Sequence, residues 1–130
     1  MIPRWIAFYC APGERRAGTP FDREFQGCGR EDDLWAQIVN WQETGYLLPQ
    51  WRHPEPGTSF AGMGPPRSTV RVYYAEHAGQ IVLLHVTTGK HGRGKLGAQT
   101  AQTVEQRLRN WKQWFPRGAE LDDQNRLIAR

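Results

Sequence analysis

Thr69-Val-Arg-Val-Tyr-Tyr-Ala75, followed a few residues later by Gln80-Ile-Val-Leu-Leu-His-Val-Thr87, is the stretch whose reading decides the fold. Both runs are rich in β-branched and aromatic residues, and Glu76-His77-Ala78-Gly79 between them supplies the break of a β-hairpin. A three-residue loop with Gly79 in the left-handed position predicts a register pairing Ala75 with Ile81 and Arg71 with His85. One face is then wholly apolar, made of Val70, Val72, Tyr74, Val82, Leu84 and Val86. The other carries Arg71, Tyr73, Ile81, Leu83 and His85. A two-residue turn at Ala78-Gly79 would mix these faces and force Ala78 to a positive φ, which an L side chain resists.

Regular elements are expected on both sides of the hairpin. Arg4 to Tyr9 reads as a short strand stopped at Pro12-Gly13. Residues 20–28 suit a brief helix, with Pro20 at its start and Phe21 and Phe25 four apart. Glu31-Asp32-Asp33 places acidic side chains where a helix N-terminus favours them, and Leu34, Trp35, Ile38, Val39 and Trp41 continue at helical spacing to a stop at Gly45. Trp35, Ile38 and Trp41 are expected in the core. Residues 49–67 hold five prolines and three glycines, an irregular connection with one short edge strand around Thr58 to Met63. After the hairpin, Gly89-Lys-His-Gly-Arg-Gly-Lys95 is a basic loop. A helix follows over 98–115, with Ala101, Val104, Leu108, Trp111 and Phe115 on one stripe and Pro116 at its end. Residues 1–117 thus read as one domain, and 118–130 as a loosely ordered tail poor in apolar residues.

The 130 residues suit a single core. The net charge of +4 is unevenly placed: residues 51–117 carry ten basic and three acidic side chains, whereas residues 1–50 carry five basic and seven acidic. A basic half favours a polyanion or an acidic protein as partner. No apolar run reaches the 18–20 or so residues of a membrane span. The start, Met1-Ile2-Pro3-Arg4-Trp5, lacks the features of a secretory signal. Cys10 and Cys28 match no metal-ligand or redox spacing. The expectation is a cytoplasmic protein with reduced thiols, no metal and no cofactor. The glycine-rich basic loop lacks the GxxxxGK[ST] pattern of a nucleotide-phosphate loop.

The order strand, two helices, irregular basic segment, hairpin, basic loop, helix resembles the RelE/HigB superfamily of toxin–antitoxin toxins, especially its phage-derived HigB-like branch. Trp5-Ile-Ala-Phe-Tyr9 resembles the opening strand, and Trp35-Ala-Gln-Ile-Val-Asn-Trp41 with Thr44-Gly45 the second helix. Arg71-Val-Tyr-Tyr74, Ile81-Val-Leu-Leu-His85, Gly89-Lys90-His91-Gly92-Arg93 and Val104-Glu-Gln-Arg107-Leu-Arg-Asn-Trp111 resemble the central strands, basic loop and closing helix. The resemblance implies a small α/β (α+β) domain, with a curved, mainly antiparallel sheet and helices packed on it. It also implies metal-independent mRNA cleavage, ribosome-associated, which inhibits translation and is neutralised by a cognate antitoxin. In that chemistry the ribose 2′-OH attacks the neighbouring phosphate and leaves a 2′,3′-cyclic phosphate.

Such a reaction needs a base, an acid and cations around the phosphorane. Arg71 offers a guanidinium fork for phosphate oxygens, and His85, His91 and His53 are candidate proton carriers. Arg52, Lys90, Arg93 and Lys95 are candidates for holding phosphates, with Tyr73 for stacking on a base or hydrogen bonding. Ser59-Phe-Ala-Gly-Met-Gly64 stands where the family carries an acidic-plus-Arg strand motif, which keeps a second reading open. In that reading the same scaffold binds and inhibits a host protein, as the gyrase-poisoning ParE branch does. A plain nucleic-acid-binding module is a third.

Overall fold

The computed structural model describes residues 5–89 and 97–130. Strand β1 (Ile6–Phe8) leads into helices α1 (Pro20–Gln26) and α2 (Glu31–Thr44). A 3₁₀ turn (Pro49–Trp51) and strands β2 (Arg52–Pro54), β3 (Ala61–Met63), β4 (Arg71–His77) and β5 (Gln80–Thr87) follow. Helix α3 (Ala98–Trp114) and strands β6 (Ala119–Leu121) and β7 (Leu127–Ala129) complete the chain. The five-stranded sheet has the order β1-β5-β4-β3-β2, antiparallel except for the β1–β5 pair, and β6 and β7 form a separate hairpin. This is a small α+β domain with N-terminal helices, a mostly antiparallel sheet and a C-terminal helix packed on it.

Local sequence accounts for the helix ends. The Thr19 hydroxyl accepts from Asp22 N at 3.2 Å while Pro20 occupies the first turn of α1, where a missing N–H costs nothing. Helix α2 opens on Glu31, Asp32 and Asp33 and closes at Gly45, whose φ of +73° lets its N–H reach Trp41 O at 2.8 Å. The buried side chains follow helical spacing: Leu34, Ile38 and Trp41 in α2, and Val104, Leu108 and Trp111 in α3.

The two helical layers lie on opposite faces of the sheet. Phe8 packs against Phe21, Phe25 and Trp35, and Trp41 meets Tyr74 edge-on, which puts α1 and α2 on the Phe8/Tyr74 face. Tyr9, the next residue along from Phe8, stacks on Trp114, and its hydroxyl accepts from Asn110 at 3.0 Å. Helix α3 therefore packs on the other face, over β4 and β5. Trp35, expected in the core, keeps 44% of its surface exposed.

The hairpin corrects the expected register. Ala78 and Gly79 form a two-residue turn at φ +53° and +76°, so His77 pairs with Gln80, and Ala75 pairs with Val82 rather than with Ile81. Farther along, Tyr74 pairs with Leu83 but Tyr73 with His85, leaving Leu84 as the extra residue of a β-bulge. Arg71 consequently faces Thr87, not His85. Ile81, Val82, Leu83 and Leu84 are all fully buried, because both faces are covered, and mixing them near the turn exposes nothing apolar. The bulge then resets alternation, so Val72 meets Val86 and Tyr73 meets His85. The strained residue is Ala78: Ala78→Gly is expected to raise stability by about 0.5–1 kcal/mol, measured as an upward shift of the denaturation midpoint.

The segment 118–130 also departs from expectation, forming a hairpin rather than a loose tail. The Gln80 side chain, 2% exposed, works as a piece of backbone, accepting from Ala119 N at 2.9 Å and donating to Ala119 O at 2.7 Å. Gly13 N reaches Leu127 O and Leu127 N reaches Glu14 O, tying the hairpin to the segment after β1. Asp122 closes the turn by accepting from Gln124 N and Arg126 N. These bonds come from polar groups, so an apolar count underestimates the order of the segment. No helix among the described residues is long and apolar enough to cross a membrane.

Candidate functional site

Four sequence-derived candidates lie on one face of the sheet. The register pairs His53 with Gly62, Gly62 with Tyr73, and Tyr73 with His85, a row crossing β2, β3, β4 and β5. Directly paired residues share a face. Arg71 stands two residues before Tyr73 and joins the same side. Glu55, two residues beyond His53, lies within electrostatic reach of Arg71.

Gly64 holds this group together. Its carbonyl oxygen lies 3.1 Å from His53 Nε2. A carbonyl only accepts, so Nε2 carries the proton and the Nδ1 lone pair is left to act as a base. On the other side of the same residue, Arg71 Nη1 is 3.2 Å from where a Cβ on Gly64 would sit. That nitrogen donates to Ser68 O and to Val70 O, the latter at 2.8 Å, which fixes the guanidinium before any ligand arrives. A Cβ on Gly64 would fall only 2.2 Å from Val70 O, a backbone atom that cannot step aside. Gly64→Ala is therefore expected to cost about 2–3 kcal/mol and to move both the acceptor of His53 and the anchor of Arg71. A lowered denaturation midpoint would show the cost.

Burial sets the protonation of the group. It lowers the His53 pKa below its usual value; the Gly64 bond opposes this, and the Arg71 charge adds to the lowering. His53 is thus neutral and basic near pH 7. Burial raises the Glu55 carboxyl above the ordinary range, with Arg71 opposing the rise. Burial likewise raises the Tyr73 hydroxyl, with Thr87 beside it acting in the other direction.

At the far end of the row, His85 is gripped from two helices. Its Nδ1 lies 2.9 Å from Glu24 Oε1 on α1, and Arg107 of α3 reaches Glu24 Oε1 and Oε2 at 2.9 and 2.8 Å. The same groups close an edge of β5. Strand β1 stops pairing at Leu83, and beyond it Val86 N donates to Glu24 Oε1 while Arg107 Nη1 donates to Leu84 O. Burial pushes the Glu24 carboxyl up, but hydrogen bonds and charge from His85 and Arg107 outweigh it and hold the pKa at about 2.

Other candidates fall elsewhere. Arg52 alternates with His53 and takes the opposite face, donating through Nε to Leu47 O at 3.0 Å with its guanidinium over the Tyr46 ring. Tyr73 is 4% exposed and packed edge-on by Phe60, which leaves no ring face for stacking on a base; its contribution is a hydroxyl. Lys90, His91, Arg93 and Lys95 lie outside the described residues.

Sequence reasoning missed Glu55, Glu24 and Arg107 as members of the site. Glu55 carries a usable signal: it is one of three acids in the basic half, spaced at i+2 from His53 as strand neighbours on one face are. Glu24 and Arg107 carry none, being 83 positions apart on different helices. Among the described residues, no cluster of three His, Cys, Asp or Glu side chains is arranged to hold a metal. Cys10 and Cys28 are buried free thiols, and burial lifts the Cys10 pKa to about 11, far from a nucleophile's range. No known protein family matches the chain, and none of the curated proteins compared with it is similar.

Proposed function

We propose that this protein cleaves single-stranded RNA without a metal, using the ribose 2′-OH as nucleophile, and acts as the toxin of a toxin–antitoxin pair. The observation that carries the chemistry is the pairing of a neutral His53, its Nδ1 lone pair free among the described residues, with the anchored Arg71 fork on the two sides of Gly64. His53 Nδ1 takes the 2′-OH proton as the 2′-oxygen bonds to phosphorus. Arg71 binds the phosphate oxygens as negative charge builds on them. The bond from phosphorus to the 5′-oxygen then breaks, and Glu55, with its raised pKa, gives that oxygen a proton. The products are a 2′,3′-cyclic phosphate and a 5′-OH. Because the base has a pKa below the usual histidine value and the acid one above the usual carboxyl value, cleavage should follow a bell-shaped pH profile, rising as His53 loses its proton below 6.5 and falling as Glu55 loses its own.

The toxin assignment rests on the resemblance of element order to the RelE/HigB superfamily and on the basic half of the chain, which suits an RNA backbone. Regulated expression in bacteria, followed by growth and mRNA 5′-end mapping, tests it. Arrest with new mRNA ends within minutes is the expected result. Arrest with intact mRNA would favour the host-protein inhibitor, whose structural support is Trp35, exposed and stacked on Phe8 beneath Arg16. Absence of arrest would overturn the toxin reading.

A further inference from the structure

We infer that Glu24 is a positioning residue that makes His85 a second proton carrier on the candidate RNA face. The inference rests on the functional reading above for what that proton is used for, but its geometry stands apart from it. Glu24 is ionised, with a pKa held at about 2, so its Oε1 can only accept from His85 Nδ1 at 2.9 Å. Arg107 Nη1, 3.4 Å from the same nitrogen, directs its two protons to Glu24 Oε1 and Leu84 O, which leaves Nδ1 as the donor. The proton is thereby fixed on Nδ1, and the lone pair of the neutral ring is assigned to Nε2. A carboxylate behind an imidazole in this way sets both its tautomer and its orientation.

The grip has more parts than an edge cap requires. Glu24 Oε1 also accepts from Val86 N at 3.2 Å and shares its acceptance with Arg107 Nη1, while Oε2 accepts from Arg107 Nη2, which stops the carboxylate from rotating. Arg107 is held in turn by Leu84 O at 2.9 Å and by packing over the Tyr9 ring. Helices α1 and α3 thus converge on one imidazole of β5, at the bulge that places His85 beside Tyr73. Without Leu84 as the extra residue, His85 would not share the face of Tyr73 and His53. Among the described residues, the charged and titratable groups around His85 are Glu24 from α1, Arg107 from α3 and Tyr73 from β4.

The test reads the ring directly. Nitrogen-15 spectra of the imidazoles in the whole protein at pH 8 should show His85 protonated on Nδ1 and bare on Nε2, and His53 the reverse. A His85 carrying its proton on Nε2 would overturn the inference with no mutation made. Glu24→Gln should lose the tautomer preference and reduce RNA cleavage about 10–100-fold in the folded protein. Since this change places an amide against Arg107, Arg107→Leu is the companion variant: it keeps the Glu24–His85 bond and should retain the Nδ1–H form. Unchanged cleavage and an unchanged His85 tautomer in folded Glu24→Gln would show that the carboxylate only caps the strand edge, and would overturn the inference. If the wild-type protein cuts no RNA while the tautomers are as stated, the functional reading fails and the assignment of Glu24 stands.

Discussion

Replacing Arg71 by alanine is expected to lower RNA cleavage by about 10³-fold and to abolish growth arrest, with the protein still folded. The size of the effect follows from preorganisation. Ser68 O and Val70 O hold Nη1, so the guanidinium waits in place and needs no reordering as charge builds on phosphorus. Nε and Nη2 remain for phosphate oxygens. Arg71→Lys should recover little of the activity, because a single ammonium cannot serve both the loop carbonyls and a phosphate edge. The fold should survive, since Arg71 is half-buried at the start of β4 and its loss removes two hydrogen bonds, worth about 1–3 kcal/mol together. Cleavage rates at matched folded concentration, with circular dichroism to confirm folding, decide the matter.

The second large effect concerns stability. Glu24→Ala leaves the Arg107 guanidinium and Val86 N without their acceptor at a half-buried strand edge, and is expected to cost about 3 kcal/mol at pH 7. The acid limb gives an independent measure. A carboxylate whose pKa is about 2 in the folded protein, against 4.5 unfolded, contributes stability that is fully present above 4.5 and lost as pH falls through 2. A difference of this size corresponds to about 3 kcal/mol, in agreement with the truncation estimate. Denaturant titrations from pH 7 to pH 2 should therefore converge: the gap between wild type and Glu24→Ala narrows below pH 4.5. A gap that stayed constant over that range would mean that the ion pair is not what Glu24 contributes.

Much of the fold was legible because its elements announce themselves locally. The Thr19-Pro20 start, the acidic opening and Gly45 stop of α2, and the apolar stripe of α3 are all decided within a few residues of chain. The register was not. The tight turn at Ala78 looked costly when weighed alone, and it became acceptable only because α3 on one side and α1 and α2 on the other bury both faces of β5. The same limit applied to the last hairpin, whose order comes from Gln80 bonding to Ala119, 39 positions away. In the site, strand alternation grouped Arg71, Tyr73 and His85 on one face, but through the wrong register: the tight turn and the bulge at Leu84 together return His85 to that face, opposite Tyr73 instead of Arg71. His53 joined them through a three-residue strand hidden in a proline-rich stretch, and its hydrogen-bond partner Gly64 O is eleven positions away. The Glu24–Arg107 pair is a product of tertiary packing alone.

The central claim, that the Gly64-centred face cleaves RNA through the 2′-OH, is tested most directly by the chemistry of the RNA ends. RNA collected minutes after induction should carry new 5′-OH ends that an RNA ligase accepting 5′-OH captures, each matched by an upstream 2′,3′-cyclic phosphate, and the Arg71→Ala strain should show neither. New ends bearing 5′-phosphate, or growth arrest with intact RNA in both strains, would contradict it.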